Sequence, residues 1–174
     1  MIKILGIKIF DRIKESGFTQ EILTRYSPFI TTRLGFHEVT DNLCSREAYI
    51  VLHIKDKDSE SEKMREELEL LGGIQIREMV FEPGHADNNA EQQEGSLDIL
   101  GILVEKNLEV IQSVQKILSS YGCYIRTRLG VNETFFGEPA GLIILELTGD
   151  HEQRLLLEKD LDALPGAYVR KMVF

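Results

Sequence analysis

A chain that repeats itself must fold as copies of one unit, and this chain repeats. At an offset of 95, Ile4 to Glu38 aligns without a gap on Ile99 to Glu133, with 14 identities in 35 positions. The shared runs include Ile4-Leu5-Gly6-Ile7 with Ile99-Leu100-Gly101-Ile102, and Thr32-Arg33-Leu34-Gly35 with Thr127-Arg128-Leu129-Gly130. At an offset of 93, Glu47 to Phe81 aligns on Ala140 to Phe174. The change of offset puts a two-residue length difference between Glu38 and Glu47, where Asp41-Asn42 and Gly137-Glu138-Pro139 read as turns. Residues 82–96 between the copies contain no large apolar side chain, four acids, and Pro-Gly and Asn-Asn loop signals. The expected organisation is therefore a first domain at 1–81, a linker at 82–96 and a second domain at 97–174.

Each copy reads as strand, helix, strand, strand, helix, strand. Ile2 to Phe10, Phe29 to Phe36, Ala48 to Lys55 and Ile74 to Phe81 are alternating or continuous β-branched runs, and their counterparts repeat the pattern. Ile22-Leu23-Tyr26 and Ile117-Leu118-Tyr121 fit one helix face. Met64, Leu68 and Leu71, matched by Leu157, Leu161 and Leu164, fit a second, and Gly72-Gly73 and Pro165-Gly166 stop it. The fold class expected is α+β, with two tandem ferredoxin-like βαββαβ domains, each a four-stranded antiparallel sheet carrying both helices on one face.

Strict alternation assigns Leu5, Ile7, Ile9, Ile30, Leu34, Ile50, Leu52 and Ile54 to the helix-covered face of the first sheet. Ile4, Gly6, Lys8, Phe29, Arg33, Tyr49, Val51, His53 and Arg77 then fall on the helix-free face. The second copy places Ile99, Gly101, Leu103, Tyr124, Arg128, Leu142, Ile144, Glu146 and Arg170 there. A surface this apolar seldom stays wet, so a partner surface is expected to cover it.

Charge narrows the partners. Twenty basic residues against 29 acidic ones give a net charge of −9, which argues against nucleic acid. An RNA-recognition module shares this topology, but Phe10 and Tyr49 have Glu105 and Leu142 as counterparts. The longest aliphatic stretch, Ala140 to Leu145, is far shorter than the ~20 residues of a membrane helix. Lys3 and Lys8 interrupt any signal-peptide core, and two cysteines make no disulfide framework, so a cytoplasmic location is expected.

The candidate ligand-binding residues are those that recur. Arg33 and Arg128 occupy the second strand of each copy, Glu38 and Glu133 follow five residues later, and Gly6 and Gly101 stand in mid-strand. A cation on a half-buried sheet face calls for a carboxylate or a ligand, either an ion pair or an anion clamp. A mid-strand glycine marks close backbone packing or ligand approach. No G-x-G-x-x-G or P-loop is present, and no catalytic set recurs in both copies. His37, Cys44 and His53 lack tight ligand spacing, and Asn132 and Glu146 replace the histidines in the second copy, so no metal site is assigned. Cys123 reads as packing. Tyr26 and Tyr121 read as core edges whose phenols reach water.

The runs ILGILVEKN, KILSSYGCYIRTRLGV, GLIILELTGD and LDALPGAYVRKMVF of the second copy resemble the ACT-like iron-only hydrogenase system regulators. ILGIKI, ILTRYSPFITTRLGF and GGIQIREMVF carry a weaker likeness through the first. That resemblance implies βαββαβ regulatory modules, akin to the regulatory domain of nickel-responsive repressors, that associate through their sheets. The glycine that amino-acid-binding ACT domains place after their first strand has no match at Asp11-Arg12 or Lys106-Asn107.

Together these readings point to a non-enzymatic, cofactor-free regulatory module. It would bind a small effector or a partner protein at an inter-domain or inter-subunit junction, as a homo-oligomer or an intramolecular domain pair. The rival readings are a structural or assembly protein without a small ligand, and a nickel or zinc sensor.

Overall fold

The computed structural model describes residues 2–37, 39–40, 43–55, 59–82, 97–135 and 137–174; of residues 39, 40, 43, 44 and 133 it describes the backbone only. The linker lies outside the described residues apart from Glu82. The chain divides into two compact units, Ile2–Val80 and Phe81–Phe174.

The first unit contains β1 (Ile2–Ile9), α1 (Arg12–Arg25), β2 (Ile30–Phe36), a short hairpin of β3 (Val39–Thr40) and β4 (Leu43–Cys44), β5 (Ala48–Ile54), α2 (Glu60–Glu69) and all but the last residue of β6 (Ile74–Phe81). The second contains β7 (Asp98–Glu105), α3 (Leu108–Ser120), β8 (Ile125–Phe135), β9 (Glu138–Leu147), α4 (His151–Asp162) and β10 (Ala167–Val173). The sheet orders are β2-β5-β1-β6 and β10-β7-β9-β8. Reversing the second list makes them the same order, the one a βαββαβ unit produces when its two β-α-β crossovers interleave. Both halves therefore adopt the ferredoxin-like fold expected of the duplicated sequence.

Local chemistry sets the helix ends. Asp11, Asn107 and Asp150 stand just before α1, α3 and α4, and each side chain accepts an N–H of the first turn, from Ile13, Glu109 and Gln153 respectively. Gly166 at φ 85° and Gly137 at φ 85° make the left-handed turns before β10 and between β8 and β9.

Each helix pair covers one sheet face. In the first unit Leu5, Ile7, Ile9, Ile50, Leu52 and Ile54 pack with Ile22, Leu23, Met64 and Leu68. In the second, Leu100, Ile102, Val104, Ile143, Leu145 and Leu147 pack with Val114, Leu118, Leu157 and Leu161. Burial contributes ~1.5–3 kcal/mol for each large side chain. On the helix-free faces Ile4, Val51, Met79, Ile99, Leu142, Ile144 and Met172 are buried as well.

Strict alternation fails on one strand of each sheet. A β-bulge adds an extra residue between Ile30 and Thr32 in β2, and another between Ile125 and Thr127 in β8. One inserted residue moves every later side chain to the opposite face. Arg33 therefore pairs with Leu52 and Arg128 with Leu145, both core residues on the helix side, while Leu34 pairs with Val51. The placement of Arg33 and Arg128 on the helix-free face, and of Leu34 on the covered one, is corrected accordingly. Phe29, ahead of the bulge, also packs against the helix-side core rather than opposite it.

Candidate functional site

The bulge in β8 turns Arg128 toward α3, where its Nη2 donates to Gln115 Oε1 at 2.9 Å. Further along the same strand, Gly130 and Asn132 follow on that face at period two, and they pair with Ile143 and Gly141 of β9. Glycines at 130 and 141 leave the strand pair bare: a Cβ built on either meets nothing within 4 Å. The result is a cleft of about 630 Å³ between α3 and the β8–β9 pair. Val104, Ile111, Val114 and Ile143 form its apolar walls, continuous with the core. Arg128, Lys106, Gln115 and Asn132 are its polar lining, and none of the lining residues is acidic. Among the described residues Arg128 has no carboxylate partner, and Lys106 makes no hydrogen bond or ion pair. A volume of this size, mostly apolar with a few convergent polar groups, is what small-molecule sites look like.

The first domain carries other chemistry at the same place. The offset of 95 matches Lys106 with Asp11, and the offset of 93, carried one residue back, matches Pro139 of the cleft with Arg46. Arg46 and Asp11 form an ion pair. Next to it, the Arg12 amide donates to the Arg46 carbonyl at 2.8 Å, and Arg12 Nε donates to the Ser45 carbonyl at 2.9 Å. The segment leading into β5 is thus lashed to the start of α1. Desolvation pushes the Asp11 carboxyl up, but Arg46 and the Ile13 and Lys14 amides outweigh it and hold it below its ordinary value. Lys106 and Pro139 cannot make such a latch. Val114 and Ile111 of the cleft are Thr19 and Ser16 in the first domain, so the counterpart is also less apolar.

The other candidate residues scatter. Arg33 is exposed on β2 without a hydrogen bond or ion pair among the described residues. Glu38 lies outside the described residues, and of Glu133 only the backbone, paired with Ala140, is described. Gly6 and Gly101 are buried in β1 and β7, opposite Val51 and Ile144. Neither arginine shares a sheet face with its glycine, and the pairing of each with its glutamate side chain lies outside the described residues. His37 is exposed, whereas His53 is buried, its Nδ1 2.6 Å from Thr31 Oγ1. The Cys44 side chain lies outside what is described. No group of three or more metal-ligating side chains occurs among the described residues. Cys123 is exposed in the turn before β8, not packed as expected. The Tyr26 and Tyr121 phenols are not free: they donate to Glu67 at 2.7 Å and Asp160 at 2.8 Å, tying each domain's two helices together.

Two groups were missed by sequence reasoning. On the first sheet's helix-free side, Phe36 stacks on Tyr49 with ring centroids 5.5 Å apart. Lys8 lies 5.6 Å from the Tyr49 ring and 5.1 Å from that of Phe10, and its Nζ meets Glu47 at 3.1 Å. The second is a charge network present in both domains with its signs exchanged. Lys3 meets Glu78 at 3.3 Å and Glu62 at 3.0 Å, and Arg65 meets Glu78 at 3.4 Å. At the matching positions Asp98 meets Lys171 at 3.5 Å and Arg154 at 2.9 Å, and Lys171 meets Glu158 at 3.1 Å. Lys3, Glu78 and Arg65 thus correspond to Asp98, Lys171 and Glu158. The inversion is already present in the sequence, where the aligned positions 3 and 98, 78 and 171, and 65 and 158 carry opposite charges.

No family model and no curated protein matches the chain. Among solved structures, it is similar to an uncharacterised protein from Thermotoga maritima at 24% identity, over 45% of this chain and 95% of that one, with a TM-score of 0.40. It is similar to the acetolactate synthase small subunit from Thermotoga maritima at 13% identity, over 100% and 98% of the two chains, with a TM-score of 0.38. A protein described as a glycine cleavage system transcriptional repressor shows 12% identity over 99% and 96%, with a TM-score of 0.39. Among the described residues no helix is long and apolar enough to cross a membrane.

Proposed function

We propose that this protein is a non-enzymatic regulatory module that takes a small effector in the cleft between α3 and β8–β9 of its second domain. The observation that carries this reading is the contrast between the copies: where Asp11 and Arg46 latch the first domain, Lys106 and Pro139 flank an open recess of about 630 Å³. This reading puts the site within one domain rather than at the junction expected from sequence, with support from the pairing of Arg33 with Leu52 and of Arg128 with Leu145 on the helix side. The resemblance to iron-only hydrogenase system regulators suits this role. An effector acts there by preferring one arrangement of the protein over another, since a ligand shifts an equilibrium only by its differential affinity.

A thermal-shift screen of organic acids, amino acids, nucleotides and divalent metals tests this reading, run on the wild type and on Gly141→Leu, which fills the cleft from a position with room for a side chain. At least one class is expected to raise the wild-type Tm while leaving that of the variant unmoved. Stabilisation by no ligand, together with a stable oligomer, favours the assembly reading, for which the apolar character of the helix-free faces is the specific support.

A further inference from the structure

The geometry points to an amphipathic monocarboxylate as the occupant of the second-domain cleft: a small organic acid with an apolar body and no ammonium group. This inference rests on reading the cleft as the effector site, and it adds the chemical class. Three features select the class. First, among the described residues the lining groups that can carry charge are both cations, Arg128 and Lys106, in a chain whose net charge is −9. A guanidinium whose described partner is the neutral Gln115 amide keeps donors for a carboxylate, and its planar fork matches one in two parallel hydrogen bonds. Second, Ile111 at the rim leads to Val104, Val114 and Ile143 of the core, so the rest of the ligand must be apolar. Third, no carboxylate lines the cleft among the described residues, so an α-ammonium group there would be desolvated without a counter-charge, which is costly. A phosphate ester or a nucleotide would set several charges and hydroxyls against the same apolar walls.

Two ligands that differ in one group separate these possibilities: 4-methylpentanoate, and leucine, which adds only the α-ammonium. The alcohol 4-methylpentan-1-ol keeps the body and removes the acid. Calorimetric titration of the full chain is expected to show 4-methylpentanoate binding at least about tenfold more tightly than either analogue. Arg128→Gln should weaken the acid by roughly ten- to a hundredfold and leave the alcohol unchanged, and Gly141→Leu should abolish binding of the acid. Leucine binding as tightly as the acid, acid binding that survives Arg128→Gln, or no binding of the acid would each overturn the assignment. A ligand of another class that stabilises the wild type and loses its effect in Gly141→Leu overturns the class and preserves the cleft. If no ligand depends on Gly141, both readings fall.

Discussion

At the scale of single residues, what matters is which partner each charge meets. Asp11 and Arg46 tie the start of α1 to the segment before β5 in the first domain, and their counterparts Lys106 and Pro139 cannot. The Asp11 carboxyl is held below its ordinary value, so its contribution to the latch is complete above about pH 4 and fades as pH falls through the lowered folded-state value. A proton titration followed by NMR should place the Asp11 midpoint below about 3.9. In Arg46→Ala it should return toward that value. A wild-type midpoint at or above the ordinary value would show that Arg46 does not hold the acid in solution. Arg33 and Arg128 share a motif but not an environment, which recurrence in the sequence could not reveal. One stands exposed without a partner among the described residues, and the other reaches Gln115 across a cleft.

At the scale of elements, two features decide where side chains go. The first is the bulge in β2 and β8. The period-two reading of the central strands matches the observed faces: Leu5, Ile7 and Ile9 in β1, and Ile50, Leu52 and Ile54 in β5, all pack under the helices. The same reading fails around the inserted residue, at Phe29 before it and at Arg33, Leu34 and Arg128 after it, because alternation carries no mark of a two-for-one pairing. The second is the sign-exchanged network beside α2 and α4. Lys3 is nearly buried against Glu78, so Lys3→Asp sets two acids together and should destabilise the protein by roughly 3–5 kcal/mol, the scale of a broken buried pair. Adding Glu78→Lys restores opposite signs. Denaturant unfolding of the four variants is expected to give a coupling energy of about 0.5–3 kcal/mol in favour of the double variant. Additive losses would mean that Lys3 is held by Ser61 and Glu62 rather than by Glu78.

For the whole molecule, duplication has left two folds alike and two surfaces unlike. Both sheets have the same strand order and both helix pairs are tied by a tyrosine to an acid, yet the recess beside α3 has no equal chemistry beside α1. One effector per chain is therefore expected. Titration should give a stoichiometry near one in the wild type, and Arg46→Ala should not add a second equivalent, because Asp11, Ser16 and Thr19 stand where Lys106, Ile111 and Val114 line the cleft. Two equal sites per chain would contradict the division of roles.

The amino-acid sequence alone determined the doubling, the βαββαβ order of each half, the helix stops and most of the core, because hydrophobic period and helix-stop chemistry are local properties that a repeat displays twice; the expected Asp41-Asn42 turn lies outside the described residues. It also brought Arg128 to notice, without placing it. Tertiary structure decided the rest. Which face the arginines occupy depends on one unpaired residue in a strand, and whether a recess opens depends on residues far apart in sequence, Lys106 with Pro139 or Asp11 with Arg46. Such pairings exist only once the sheet has brought the two segments together, so no reading of neighbours along the chain contains them.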